Sequence, residues 1–291
     1  VVVDSDTATY YEKLKTEYGE YISSKMYRDN EGDIVFKNTD NHCPFLNSQQ
    51  LCDIHINLGG KHTPKTCKMF PRFETSFGGT AEWGLSLSCP VASELIISNN
   101  TFDLDAEFDD ELPDINDIDA DLFLSLKSVR KKCVDYINKS DLSFLKLNAL
   151  VAFGKAVEEC ADSGDFEKLE ALDITTFEQV GTSKIPDKNV FEKFEYLTPK
   201  GERLLKNNSF PLPFEFTKES KNILLYYVYR YFLKSVYDGD IYFALAFSAF
   251  STAIICSVAE NSKLPLADVA RIYSKEIEHS QGNIQILCKN L

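Results

Sequence analysis

A chain of 291 residues with 44% hydrophobic side chains is long enough to bury a sizeable core, as one large domain or two modest ones. Its 45 acidic residues against 31 basic ones leave a net charge of -14, which repels a phosphate backbone and anionic lipid, so neither nucleic acid nor a membrane surface is an expected partner. The excess is local: thirteen carboxylates and no Lys or Arg lie between Phe73 and Leu126.

The chain opens on Val1 rather than Met, so a trimmed N-terminus is expected, and its first residues lack the basic, apolar, small-residue order of a signal peptide. From Thr7 to Met26, Tyr10, Tyr11, Leu14, Tyr18, Tyr21 and Ile22 recur at helical spacing and predict one amphipathic helix. Asn30 to Asp33 supply turn chemistry for a hairpin over Tyr27 to Asn38. Ser48 is placed to cap a helix running through Asn57, which Gly59 and Gly60 end. Pro64 suits the first turn of a short helix stopped by Pro71. A second hairpin is expected from Arg72 to Leu87 about the Gly78-Gly79 turn, and Pro90 then opens a helix.

Asn99 to Ala120 is rich in carboxylates and has little periodicity, which reads as an exposed acidic loop or linker. Beyond it the pattern is helical, beginning with Leu122, Leu126, Val129, Cys133 and Ile137. Further helices are predicted at Leu142 to Cys160, Phe166 to Leu172, Asn189 to Lys206, Thr217 to Tyr237, Ile241 to Ala259 and Pro265 to His279, with an extended break at Pro211 and Pro213. Ile241 to Ala259 reaches the minimum length for a membrane span. Its Ser248, Ser251, Thr252 and Ser257, and its acidic flanks, favour a buried core helix instead. The expected architecture is mainly α. It comprises a small Cys-rich α+β module at 1–100 with one or two β-hairpins, an acidic linker at 101–121, and a helical bundle or array at 122–291.

Eight residues separate Cys43 from Cys52, fourteen separate Cys52 from Cys67, and twenty-one separate Cys67 from Cys89. These spacings lack the close pairs of a zinc ribbon, so they leave open a shared metal centre or buried thiols behaving as small hydrophobes, with a disulfide framework as a third reading that suits small secreted chains rather than one of this length. Cys43 and Cys89 each precede Pro, which puts them at element edges where a thiolate can turn towards a shared centre. Cys52 is expected on the flank of its helix, and His42, His55 and His62 lie near enough in sequence to supply a further ligand. Cys133, Cys160, Cys256 and Cys288 are scattered through helical patterns and fit the core reading.

Cys43-Pro44-Phe45-Leu46, Leu51-Cys52-Asp53-Ile54, Leu58-Gly59, Cys67, Phe70-Pro71-Arg72 and Leu87-Ser88-Cys89-Pro90 together resemble the Cys-rich module of the flagellin lysine N-methylases. Leu225 to Phe232 and Ile272 to Ser280 resemble the same family, so the likeness spans almost the whole chain. The resemblance implies a cytoplasmic bacterial enzyme that moves methyl groups from S-adenosylmethionine to lysines of flagellin. It also implies an iron-sulfur cluster of the 4Fe-4S type, with zinc as the alternative, on Cys43, Cys52, Cys67 and Cys89. A further group of close cysteines is implied upstream, and no Cys precedes Cys43 here.

Lysine methylation needs a neutral amine, an aligned sulfonium and a route for the proton. The chain has no strand followed by a glycine-rich dinucleotide turn and no compact CxxxCxxC signature, so its cofactor site is expected to be unconventional. Glu276, at the border of the apolar face of its helix, and His279, one turn on, are the candidates for binding the lysine ammonium or accepting its proton. A salt bridge for Glu276 and a helix-end contact for His279 are the structural alternatives. Arg72 is the candidate for holding a cofactor carboxylate or cluster sulfur, or else it anchors the hairpin.

Overall fold

The computed structural model describes residues 1–30, 32–37, 42–78, 80–99, 118–139, 143, 146–178, 188–207 and 216–291. The chain divides between Phe73 and Glu74 into two units. Most of the acidic stretch read as a linker, and the Pro211 and Pro213 segment, lie outside the described residues.

In the first unit, α1 (Ser5–Lys13) is capped by Asp4, whose carboxylate accepts from Thr7 N at 3.0 Å and from Lys65 N at 2.7 Å. The single helix expected from Thr7 to Met26 is in fact two, because the chain turns sharply at Leu14 and restarts as α2 (Glu17–Ser24) under a Thr16 cap. Gly19 permits that turn: a Cβ there would strike the Leu14 carbonyl. The hairpin follows as expected, with β1 (Met26–Arg28) antiparallel to β2 (Ile34–Phe36) and Tyr27 opposite Val35. Val3 N donates to Ile34 O and Phe36 N to Val1 O on the other edge of β2. Val3, Tyr11, Ile22, Phe36, Phe45 and Ile54 form the small core between these pieces.

The Asn47 side chain, rather than Ser48, organises the next turn, accepting from Gln49 N and Leu51 N at 3.0 Å each. The helix therefore begins late, as α3 (Asp53–Leu58), and α4 (Lys65–Met69) follows. The second hairpin, β3 (Arg72–Phe77) with β4 (Thr80–Leu85), leads to α5 (Pro90–Ser98), which has Pro90 in its first turn.

The second unit is helical, as its periodicity requires. Leu126, Val129, Cys133 and Ile137 are all fully buried along α6 (Ala120–Asn138). The elements α7 (Leu147–Asp162), α8 (Phe166–Ala171), α9 (Pro199–Lys206), α10 (Lys218–Tyr231), α11 (Ser235–Asp238), α12 (Ile241–Ser262), α13 (Leu266–Ile277) and α14 (Gln281–Cys288) follow. The helix expected over Asn189 to Lys206 is interrupted: a 3-10 turn at Lys188–Lys193 gives way to extended chain, and α9 starts afresh with Thr198 as cap and Pro199 as first residue. The apolar run is the central helix α12, packed on α7, α10 and α13. Its hydroxyls are satisfied inside the protein. Ser248 Oγ donates to Ala244 O, Thr252 Oγ1 donates to Ser248 O, and Ser251 Oγ lies 3.0 Å from the Tyr273 hydroxyl. Cys133, Cys160 and Cys256 are buried as expected, whereas Cys288 is exposed at the end of α14.

Candidate functional site

Three of the four candidate metal ligands belong to the first unit, and these three lie together. Cys43 starts a turn closed by Leu46 N to Cys43 O at 3.1 Å, and the Phe45 N–H points at its sulfur. Backbone N–H groups aimed at sulfur are what a thiolate ligand needs, since they spread its charge. Cys52 is the cap residue of α3, not a member of that helix, and an isolated bridge pairs it with Leu46 of the Cys43 turn. Cys67 sits in α4. Burial raises the Cys43 pKa, and Cys52 adds to the rise. Around the Cys67 thiol the surrounding protein, then Cys43 and Cys52, push the pKa up to about 11, although the residue as a whole is exposed. Among the described residues no three His, Cys, Asp or Glu side chains converge on the position of a single ion. Cys89 belongs to the second unit, where it caps α5.

The histidines near these thiols have other surroundings. The His62 ring stacks on Tyr10 with centroids 4.3 Å apart, and its carbonyl accepts from the Tyr11 hydroxyl. His55 is exposed on α3, and Leu51, which precedes that helix, is exposed too, so the buried residue of α3 is Ile54 alone. Arg72 opens β3 with its side chain on the exposed side of the strand.

In the second unit Glu276 and His279 face different neighbours. Glu276 is fully buried and accepts from Leu197 N at 2.6 Å and from Thr198 Oγ1, so its two oxygens hold the chain entering α9. The packing is close: a Cβ at Gly201 would run into this carboxylate. Asn283 fixes the same corner, accepting from Glu195 N at 3.0 Å and donating to Glu195 O and Glu276 O at 2.8 Å.

His279 turns the other way, towards the loop between β4 and α5. Its Nε2 lies 3.0 Å from Ser88 Oγ and 3.4 Å from Ser86 Oγ, and the two hydroxyls are 2.9 Å apart. Desolvation of the ring lowers its pKa below the ordinary 6.5, Glu278 opposes this, and Arg230 and Lys275 add to the lowering. The imidazole is therefore neutral at pH 7 and able to accept a proton. The unfolded ring protonates first on acidification, so stability is full above about pH 7 and falls as pH drops through the folded pKa. His279→Gln is expected to flatten that part of the profile, measured as the difference in Tm between wild type and variant from pH 7.5 to about 5.5.

Between them stands Glu278, which the sequence reading passed over. Its carboxylate has no exposure and accepts from the hydroxyls of Tyr226 at 3.0 Å, Tyr227 at 3.2 Å and Tyr231 at 2.9 Å. Arg230 Nε is 3.2 Å from the same group, and Arg230 Nη1 donates to the Tyr226 hydroxyl. Burial, then the Glu278 charge, hold all three phenols well above the ordinary tyrosine range, so they remain donors. Leu87 N also points at the Tyr226 hydroxyl, at 3.4 Å. Three separate stretches thus converge here: Leu87 to Pro90, Leu225 to Phe232 and Ile272 to Ser280. The available signal was the pairing of Tyr226 with Arg230 and Tyr227 with Tyr231 at i, i+4 on α10.

A thiol-rich turn in one unit, and in the other a buried carboxylate ringed by tyrosines with a neutral histidine beside it, define a mainly helical protein with a candidate thiolate centre and a candidate proton-transfer site. Over 78 residues, 27% of its length, the chain is 31% identical to the Flagellar biosynthetic protein FliU of Salmonella muenchen, covering 46% of that protein. Over 78 residues it is also 30% identical to the Lysine-N-methylase of Salmonella typhimurium strain LT2 and to that of Salmonella choleraesuis strain SC-B67, covering 20% of each. The chain spans less than half the length of these curated relatives. These matches bear out the resemblance to the flagellin lysine N-methylases over 78 residues, 27% of the chain, rather than over almost its whole length. No family model matches the chain. No solved structure matches it either.

Proposed function

We propose that this chain carries lysine N-methyltransferase activity, takes its methyl group from S-adenosylmethionine, and acts on flagellin in the cytoplasm. The observation that carries this reading is the 30% identity to proteins named Lysine-N-methylase. The convergence of the tyrosine-rich and Glu278-His279 segments on one site supports it.

A lysine side chain with a pKa near 10.4 reaches the site as an ammonium and must lose a proton before it reacts. His279, neutral and reachable from solvent, accepts that proton at Nδ1, the ring nitrogen left open when Nε2–H is held by Ser88 and Ser86. The freed amine attacks the methyl carbon: a nitrogen–carbon bond forms, the sulfur–carbon bond breaks with its electron pair going to sulfur, and the sulfonium leaves as a neutral thioether. Glu278, tied by three hydroxyls, fixes the end of α13 from which His279 projects.

Cys43, Cys52 and Cys67 are the residues proposed to hold an iron-sulfur cluster. Each iron of a cluster takes its own thiolate, and the likeness to the flagellin lysine N-methylases is what supports a cluster here over a single zinc. Bound there, a cluster would supply redox-active iron, held by Cys43 in its turn, Cys52 at the start of α3 and Cys67 in α4.

The test is protein prepared anaerobically and incubated with labelled S-adenosylmethionine and unmodified flagellin. Label is expected on flagellin lysines, and His279→Gln is expected to slow its transfer by about 10²-fold or more. No lysine methylation by the wild type overturns the reading. Iron with acid-labile sulfide and a visible absorption band is expected in the same preparation; one colourless zinc per chain would overturn the cluster assignment.

A further inference from the structure

Glu278 sits among aromatic rings as well as hydroxyls. The Tyr226 and Tyr227 centroids are 5.1 Å apart, those of Tyr227 and Tyr231 6.1 Å, and Phe247 meets Tyr227 and Tyr231 edge-on at 5.6 and 4.9 Å. The guanidinium carbon of Arg230 is 5.8 Å from the Tyr226 ring and 5.6 Å from the Tyr231 ring, and Lys234 Nζ stands 5.3 Å from Tyr231. Aromatic faces around a carboxylate are the chemistry that recognises organic cations.

The second unit also contains a contrasting ion pair. Arg130 sets both terminal nitrogens on Glu82, at 2.8 and 2.6 Å, the fork-on-fork geometry of a pair that locks two elements together. At Glu278 the carboxylate is instead held by three phenol hydroxyls, which keep it in place but bring no positive charge. Its charge is balanced by a cation on a long side chain that keeps 11% exposure, and Tyr231 already carries an ammonium, that of Lys234, on the same wall. The fixed part of the site is the carboxylate with its rings.

We propose that Glu278, Tyr226, Tyr227 and Tyr231 form a cation cage for an alkylammonium side chain, and that Arg230 is its built-in occupant, displaced when a lysine of the protein substrate enters. The aromatic walls accept methylated ammonium as well, so the cage holds the lysine before and after transfer. The identity of the incoming side chain rests on the methyltransferase reading; the cage itself does not.

The full chain with Arg230→Ala tests this with three probes: n-butylammonium, n-butyltrimethylammonium and methylguanidinium. Each ammonium probe is expected to raise the thermal midpoint of Arg230→Ala by several degrees, because a ligand that binds only the folded state stabilises it. The rise is expected to vanish when Glu278→Gln is added. No rise with either ammonium, or a rise with methylguanidinium alone, overturns the proposal. Should Arg230→Ala fail to fold, Arg230→Lys delivers a tethered ammonium. Its midpoint is expected to lie close to wild type and well above that of Arg230→Met, and an equal loss in the two variants overturns the cage. Ammonium binding without methyl transfer by wild type would defeat the methyltransferase reading and leave the cage standing. Transfer without ammonium binding would do the reverse.

Discussion

Replacing Glu278 with alanine is expected to destabilise the second unit by on the order of 3–5 kcal/mol, the cost of leaving a buried cation without its counter-charge. Arg230 would keep its place among Tyr226 and Tyr231 with no carboxylate beside it, and three phenols would lose their acceptor. Single Tyr→Phe changes at Tyr227 or Tyr231 are expected to cost far less, about 1 kcal/mol each, because Glu278 keeps its remaining donors. Urea unfolding of the full chain measures all three. A Glu278→Ala variant within about 0.5 kcal/mol of wild type, the range of neutral surface changes, would show that the carboxylate is not the centre of this cluster.

The Arg130–Glu82 pair is the second large effect. Arg130 is 4% exposed on α6 and Glu82 lies on β4, so the pair joins hairpin to helix, with Tyr229 of α10 stacking on the guanidinium and donating to Trp83 O. Glu82→Leu alone is expected to cost about 3–5 kcal/mol, since a guanidinium remains buried and unpaired. Combining Glu82→Leu with Arg130→Met removes both charges and is expected to recover most of that loss. The four proteins of the cycle give the coupling energy directly; additive losses would mean that the two side chains do not depend on each other.

The pattern of the chain carried the helical architecture because each buried stripe is local. Leu126, Val129, Cys133 and Ile137 repeat within one helix, and α12 announces itself by composition. The errors are also local and have physical causes. Gly19 lets the chain fold back where periodicity alone runs through, Asn47 outcompetes Ser48 for the turn before α3, and Pro199 starts a helix where a continuous one had been read. The site was harder to read because its parts are distant. Glu276 and Glu278 are equally acidic in sequence, and only the fold decides which of them meets the hydroxyls of α10, some fifty positions earlier. Ser88 entered only as part of the Leu87-Ser88-Cys89-Pro90 motif and Ser86 not at all, since a serine beside a strand end becomes informative about proton transfer only when a histidine 191 or 193 residues on closes against it.

Asn283 gives the end of the chain a particular standing. One amide holds Glu195 by both of its backbone groups and Glu276 by its carbonyl, so α14 and the extended strap before α9 are released by a single event rather than independently. Such a clasp makes them one cooperative opening unit in native-state hydrogen exchange. The amides of Glu195 and Leu197 would then exchange together with those of α14, reporting on a partial unfolding that bares Glu276 while the helices around Glu278 stay closed.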